Sequence, residues 1–197
     1  MIGWARVAQV PYYVMHKLLA GLLQYHFLWR AAPPLEVAIR LAGHLEARVM
    51  RVLARGVEQW HTFLNQEVGG MSEALADLAT ATGNSSWLQL AALFERPCFV
   101  RPLMLHFQRR RGERQPPQSG GEVGRGASGG GDSLAARAIE QMHANTHLPQ
   151  LLGTMARYEA TGDAALRGAA EAFWRELSDG HQYAVRTHHA HAPTRAH

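Results

Sequence analysis

Cysteine is almost absent from this sequence, in which Cys98 is the only one among 197 residues. A single thiol excludes an internal disulfide framework and a cysteine-rich zinc site. Long hydrophobic runs are also absent. The near-continuous apolar stretch at 18–28 is interrupted by polar residues, including Gln24 and His26, and is shorter than the roughly 18 to 20 residues that span a bilayer. We therefore expect no membrane-spanning helix, and MIGWAR at the start does not resemble a secretory signal.

The net charge of the chain comes from a single segment. The net charge is +4, and six arginines against two glutamates between residues 101 and 125 account for all of it. Hydrophobic residues make up 47% of the chain and charged residues 18%, proportions typical of a globular domain with a substantial core. The basicity therefore indicates a local feature rather than a protein-wide affinity for anions.

Strand signals are few, because period-two alternation of β-branched residues is rare, whereas apolar residues recur at spacings of three and four. The sequence thus predicts an all-α fold. The predicted helices cover 13–28, a segment from Pro33-Pro34 to Gly56, a segment from Gly69-Gly70 to Thr82, a segment around 86–96, a segment from Leu148 to Ala160 and a segment from Asp163 to Leu177, with 60–67 as a connection.

Two of these helix pairs repeat. One constant offset along the chain aligns Gly83 with Gly162 and Asn84 with Asp163, and also aligns Phe94 with Phe173. Glycine takes the left-handed conformation that closes one helix, and an Asx residue after it caps the next. The pattern predicts a repeated helical hairpin.

A low-complexity insertion separates the two repeats. Residues 108–132 contain eight glycines, two prolines and almost nothing apolar, so they are predicted to be disordered. Without this insertion, the offset between the repeats is reduced to a length that suits a helix pair. The His-rich tail at 185–197 is also predicted to be disordered, and its histidines offer only a weak metal-binding hypothesis.

Polar motifs supply the candidate site residues. His16 begins an apolar helix, where a hydrogen-bonded, half-buried ring is the ordinary interpretation of a lone histidine. NQEVGGM (65–71) joins two glycines, which allow close approach of a ligand to the backbone, to nearby polar side chains; a loop with a capping carboxylate is the alternative. HANTHLP (143–149) places donors and acceptors suited to sugar hydroxyls before a helix. Cys98 is interpreted as an unreactive buried thiol.

The chain resembles the catalytic domain of glycoside hydrolase family 127, the β-L-arabinofuranosidase-like proteins of plant and algal type. The resemblance rests on PYYVMHKLLAGLL, NQEVGGMSEALADLATATG, LAALFERPCFVRPL, HANTHLPQLLGTMARYEATGD and the FW…HQYA run, in that order. It implies a partial (α/α)6 toroid of the six-hairpin glycosidase type over 1–184, interrupted by 108–132. It also implies a terminal β-L-arabinofuranosyl glycan as substrate. We expect no membrane partner, and a nucleic-acid partner is disfavoured.

The family positions that match give a set of residues expected to bind substrate: His16, Asn65, Glu67, His143, Asn145 and His181. Full-length relatives use a zinc-held cysteine thiolate as nucleophile and a glutamate as acid/base. In this sequence thirteen residues follow Ala184, and they contain neither the Gly-Glu nor the Glu-Thr-Cys segment of the family. We therefore expect no catalytic residue and no cofactor in this chain, with dependence on a C-terminal half.

Two other functions remain open at this point. One is a non-catalytic module that binds carbohydrate or packs against other helices. The other is contact with RNA through the arginine- and glycine-rich insertion, since arginine pairs with phosphate and stacks on bases. The insertion lacks aromatic residues, which makes the RNA hypothesis the weaker of the two.

Overall fold

The computed structural model describes residues 11–64, 69–96, 99–105, 144–176 and 178. All regular secondary structure in these ranges is helical, which confirms the all-α prediction. The seven principal helices are α1 (Pro11–Trp29), α2 (Ala32–Leu53), α3 (Val57–Leu64), α4 (Met71–Thr82), α5 (Ser86–Leu93), α6 (Ala144–Thr161) and α7 (Ala164–Glu176). None of these helices combines the length and hydropathy required to cross a membrane.

The prediction of a connection over 60–67 was wrong for its first part, because α3 extends to Leu64. This helix is short, with too few residues for apolar periodicity to reveal it. Tertiary contacts stabilise it instead. Trp60 is buried, its indole Nε1 donates a hydrogen bond to the carbonyl oxygen of Leu93 at 2.7 Å, and its ring packs edge-on against Phe94.

The predicted hairpin repeat is confirmed at atomic detail. Gly83 and Gly162 have φ angles of 67° and 72°, the left-handed region that a glycine adopts without strain. The Oδ1 of Asn84 accepts a hydrogen bond from the amide of Ser86 at 3.0 Å, and the Oδ1 of Asp163 accepts one from the amide of Ala165 at 2.8 Å. The two turns therefore use the same side-chain chemistry at equivalent positions of the repeat.

Three hairpins lie next to one another in the described part of the chain. The first helix of each hairpin packs on the first helix of the next, α1 on α4 and α4 on α6, and each of α2, α5 and α7 packs on its own partner. This order is the one that a ring of hairpins requires. Closure into a six-hairpin toroid stays a prediction, as does the limit of the domain at residue 184.

The hydrophobic core has two parts. The larger cluster joins α1 to α5 and includes Tyr12, Trp60 and Phe94, while the smaller one joins a helical segment at 100–105 to α6 and α7 around Phe99 and Phe173. The outer flanks also carry exposed apolar side chains. The insertion at 108–132 and the tail at 185–197 lie outside the described residues.

Candidate functional site

The candidate site lies where α1 faces the start of α4, and His16 is its central residue. The buried face of α1 carries Tyr12, His16, Leu19 and Leu23 at spacings of four, three and four. His16 therefore belongs to the face that packs inward, and only 7% of its surface is exposed. Burial of a polar ring on an otherwise apolar face costs free energy unless the ring is hydrogen-bonded.

The Gly69-Gly70 turn lies directly against the His16 ring. Gly69 has a φ of +62°, and a Cβ added there would stand 2.3 Å from His16 Nδ1 and 2.9 Å from the ring of Tyr13. No other residue fits this position, because both the backbone conformation and the space exclude a side chain. The two glycines were expected to allow a ligand to approach the backbone, and that stays a prediction; the group that lies against Gly69 in the structure is the imidazole of His16.

The surroundings of the His16 ring favour its neutral form. Burial lowers its pKa, and the positive charge of the neighbouring Lys17 lowers the pKa further, while the carbonyl of Tyr13 acts in the opposite direction. Its Nδ1 makes no hydrogen bond of normal geometry within the described structure. A neutral imidazole offers one donor and one acceptor, which is the pairing that a sugar hydroxyl uses.

Glu73, in the first turn of α4, lies on the other side of Gly70. A Cβ on Gly70 would stand 3.2 Å from Glu73 Oε2 and 3.4 Å from His16 Nε2. Burial raises the pKa of Glu73, and the negative charge of Asp77 raises it further, whereas Lys17 lowers it. The backbone of Gly70 is therefore flanked by a carboxylate and an imidazole.

Helix α4 packs closely on α6 beside the candidate site. Gly153 of α6 faces the first turn of α4, where a Cβ would stand 2.7 Å from the Cβ of Ser72 and 3.2 Å from the amide nitrogen of Glu73. Ser72 is 2% exposed, and its Oγ has no hydrogen-bond partner among the described residues. The small residue on α6 thus allows the first turn of α4, including the backbone of Glu73, to approach α6 closely.

The structure places two of the expected substrate-binding residues and leaves the others undetermined. His16 lies at the site, and Asn145 is exposed near the start of α6. The remaining residues of the expected set, together with Cys98, lie outside the described residues: Asn65, Glu67, His143 and His181.

The prediction that 143–149 precedes its helix was wrong, since Asn145 and His147 lie inside α6, which begins at Ala144. His147 is buried and packs against the rings of Phe99 and Phe173, at centroid distances of 6.4 Å and 5.4 Å. Pro149 falls in the second turn of α6. The aromatic core of the α6/α7 hairpin explains the burial of His147.

Sequence reasoning missed Gln150, which joins α6 to the end of α5. Its Oε1 accepts a hydrogen bond from the amide of Arg96 at 2.9 Å, and its Nε2 donates one to the carbonyl of Phe94 at 3.2 Å. Nearby, Arg157 of α6 pairs with the largely buried Glu95. No local pattern could have identified these contacts, because the partners belong to different hairpins and are distant in the sequence.

The described residues do not form a metal centre. No group of three or more histidine, cysteine, aspartate or glutamate side chains in these ranges is arranged to hold a metal ion. The donor set of the zinc thiolate site that the family resemblance implies is therefore not present in the described part of the chain.

Comparison with known families agrees with the fold and the motifs. A search of curated proteins gave no match. The family model of the β-L-arabinofuranosidase GH127 catalytic domain matches residues 3–188, nearly the whole chain. Family membership accounts for both the helical hairpins and the order of the motifs. The chain belongs to glycoside hydrolase family 127, whose members are β-L-arabinofuranosidase-like.

Proposed function

We propose that this chain supplies a wall of a GH127 sugar pocket and binds a terminal β-L-arabinofuranosyl residue through His16. The observation that carries the proposal is the buried His16 ring, which lies against the buried glycines Gly69 and Gly70 and whose Nδ1 has no hydrogen bond of normal geometry within the described structure. A neutral ring offers one donor and one acceptor, the pairing that a sugar hydroxyl uses. Asn145 belongs to the same proposal, as do the four expected residues outside the described ranges.

We also propose that these 197 residues do not hydrolyse arabinofuranosides by themselves. Retaining hydrolysis needs an acid/base group and a nucleophile, and the sequence contains neither family segment that carries them. Cys98 lies in a different family motif. Exposed apolar side chains on the outer helices, such as Leu28 and Trp29 of α1 and Trp174 of α7, support a role for further hairpins in covering these flanks.

Calorimetric titration of the full chain with methyl β-L-arabinofuranoside tests the binding proposal. We expect measurable binding that is lost in His16→Ala and retained in His44→Ala, because His44 is an exposed histidine on α2. Absence of binding to the unmodified protein would refute the proposal. Release of p-nitrophenol from p-nitrophenyl β-L-arabinofuranoside, measured with and without zinc, tests the second part, and turnover in either condition would contradict it.

A further inference from the structure

A carboxylate with no assigned role lies beside the proposed sugar site. Glu73 Oε2 and His16 Nε2 are 3.2 Å and 3.4 Å from the point where a Cβ on Gly70 would stand. Gly70 is itself buried, and its backbone has an imidazole on one side and a carboxylate on the other. A side chain at that position would occupy the space between them.

The side chains of His16 and Glu73 make no hydrogen bond of normal geometry with the described residues. His16 is more than nine-tenths buried, and its Nδ1 has no hydrogen bond of normal geometry within the described structure. Its Nε2 lies on the side of Gly70, and a ring nitrogen can donate or accept a hydrogen bond according to the tautomer. Glu73 likewise makes no hydrogen bond and no close ion pair with the described residues, and Lys17 acts on it only through its charge.

The ordinary role of an acidic residue at this position is to stabilise the start of a helix. A glutamate in a capping box accepts a hydrogen bond from the backbone amide of the capping residue. Here the cap of α4 is Gly70, which has no side chain, and Glu73 accepts no such bond. The helix therefore leaves the carboxylate oxygens available.

Carboxylate and imidazole together match the chemistry of a furanose. An ionised carboxylate only accepts hydrogen bonds, and adjacent sugar hydroxyls can donate to its two oxygens. The imidazole supplies the complementary donor or acceptor. We propose that Glu73 is a further sugar-binding residue, which accepts hydrogen bonds from ring hydroxyls of the arabinofuranosyl unit held at His16; this inference rests on the proposed function.

The test compares two neighbouring acids of α4 in the full chain. Titration with methyl β-L-arabinofuranoside is carried out on the unmodified protein, on Glu73→Gln and on the matched control Asp77→Asn, which lies one turn further along α4. Loss of a hydrogen bond to a charged group predicts at least about tenfold weaker binding for Glu73→Gln. Binding by Asp77→Asn is expected to stay within about twofold of the unmodified protein.

Each outcome decides the inference. Binding by the unmodified protein with unchanged affinity in Glu73→Gln would overturn the role of Glu73 and leave the proposed function intact. Equal weakening in both variants would show a general charge effect and would also overturn it. No binding by the unmodified protein would refute the proposed function and this inference together.

A second measurement separates direct contact from a structural role and does not require the variant to fold. In the unmodified protein, the 2-deoxy and 3-deoxy analogues of the glycoside are titrated, and amide and ring resonances are followed by NMR. We expect the Gly70 and Glu73 amides to shift with the full glycoside and affinity to fall with at least one deoxy analogue. If Glu73→Gln folds, it should no longer discriminate against that analogue. Unshifted resonances, or discrimination that persists in the variant, would contradict direct contact.

Discussion

The imidazole of His16 fills the space beside Gly69 that any side chain at position 69 would need, with Nδ1 2.3 Å from the position of a Cβ. A residue of α1 and a residue just before α4 therefore constrain each other, although they are distant in the sequence. Position 69 requires glycine for two reasons. The turn needs a positive φ, and the His16 ring occupies the space that a side chain would take.

Substitution Gly69→Ala tests this relationship. Alanine at a positive φ costs about 1 kcal/mol from backbone strain alone, and displacement of the buried His16 ring should add about 1 kcal/mol or more. The matched control is Gly162→Ala, which has a similar φ of +72° but open space around its Cβ. Urea unfolding of both variants measures the difference, and equal losses in free energy of unfolding would contradict contact between His16 and residue 69.

Acid should destabilise the fold through His16. Burial and the charge of Lys17 lower its pKa in the folded state, so the folded protein binds fewer protons than the unfolded chain. The contribution of this group to stability is therefore present above about pH 6.5, the ordinary pKa of histidine, and is lost as the pH falls below it. The free energy of unfolding of His16→Gln, measured from about pH 7.5 to about pH 5, should fall less steeply than that of the unmodified protein. His44→Gln serves as the control, and an unchanged slope in His16→Gln would exclude this role.

Asp77 should act in the opposite direction. Burial raises its pKa, and the negative charge of Glu159 raises it further, so the folded protein binds more protons at this group than the unfolded chain does. Its contribution is present below the unfolded pKa of about 3.9 and is lost as the pH rises through the higher folded value. Asp77→Asn should therefore increase the free energy of unfolding by about a few tenths of a kcal/mol near pH 7, because the group is only partly buried. Chemical denaturation at about pH 7 and about pH 4 checks this, and a gain that persists undiminished at the lower pH would argue against it.

Substitution of Gln150 should remove two hydrogen bonds that join α6 to the end of α5. Gln150→Leu keeps a buried side chain of similar size but leaves the amide of Arg96 and the carbonyl of Phe94 without their hydrogen bonds to the Gln150 side chain. The expected loss is about 2 kcal/mol of unfolding free energy. Gln24→Leu on the exposed surface of α1 is the control and should change stability by less than about 0.5 kcal/mol. A similar effect of both substitutions would show that the bridge contributes little.

The Glu95–Arg157 pair offers a double-mutant cycle. Both side chains are mostly buried, and burial raises the pKa of Glu95 despite the opposing charge and hydrogen bond of Arg157. Removal of either partner leaves an unpaired buried charge, so Glu95→Ala and Arg157→Ala should each cost about 3 kcal/mol, whereas the double variant should cost much less than their sum. Thermal or urea unfolding of the four proteins gives the coupling energy. Additive losses would contradict an interaction between the two side chains.

Local patterns predicted much of the helical architecture. The Gly83-Asn84 and Gly162-Asp163 turns have fixed conformational requirements that neighbouring residues satisfy, so the sequence identified them and their repeat. Helix α3 and the start of α6 escaped prediction. In α3 the helix is too short to give clear periodicity, and in α6 a proline falls in the second turn rather than at the start.

Some residues of the candidate site could be identified from the sequence, and others only from the structure. His16 and the glycine pair could be singled out from residue types in a short motif, whereas Glu73 resembles any acidic residue near a helix start. Its position beside His16 depends on how α1 packs on α4. Gln150, Glu95 and Arg157 also have ordinary local explanations, and their contacts become visible only when separate hairpins are brought together.

The sequence by itself determined the all-helical class, the repeated turns and membership in the family, because helix periodicity, capping and motif order are properties of neighbouring residues. Tertiary structure alone decided which polar groups meet, above all His16, Gly70 and Glu73 at the start of α4. The physical reason is that the contact distances and burial of these groups depend on how separate helices pack together, and this packing joins residues that local spacing does not connect.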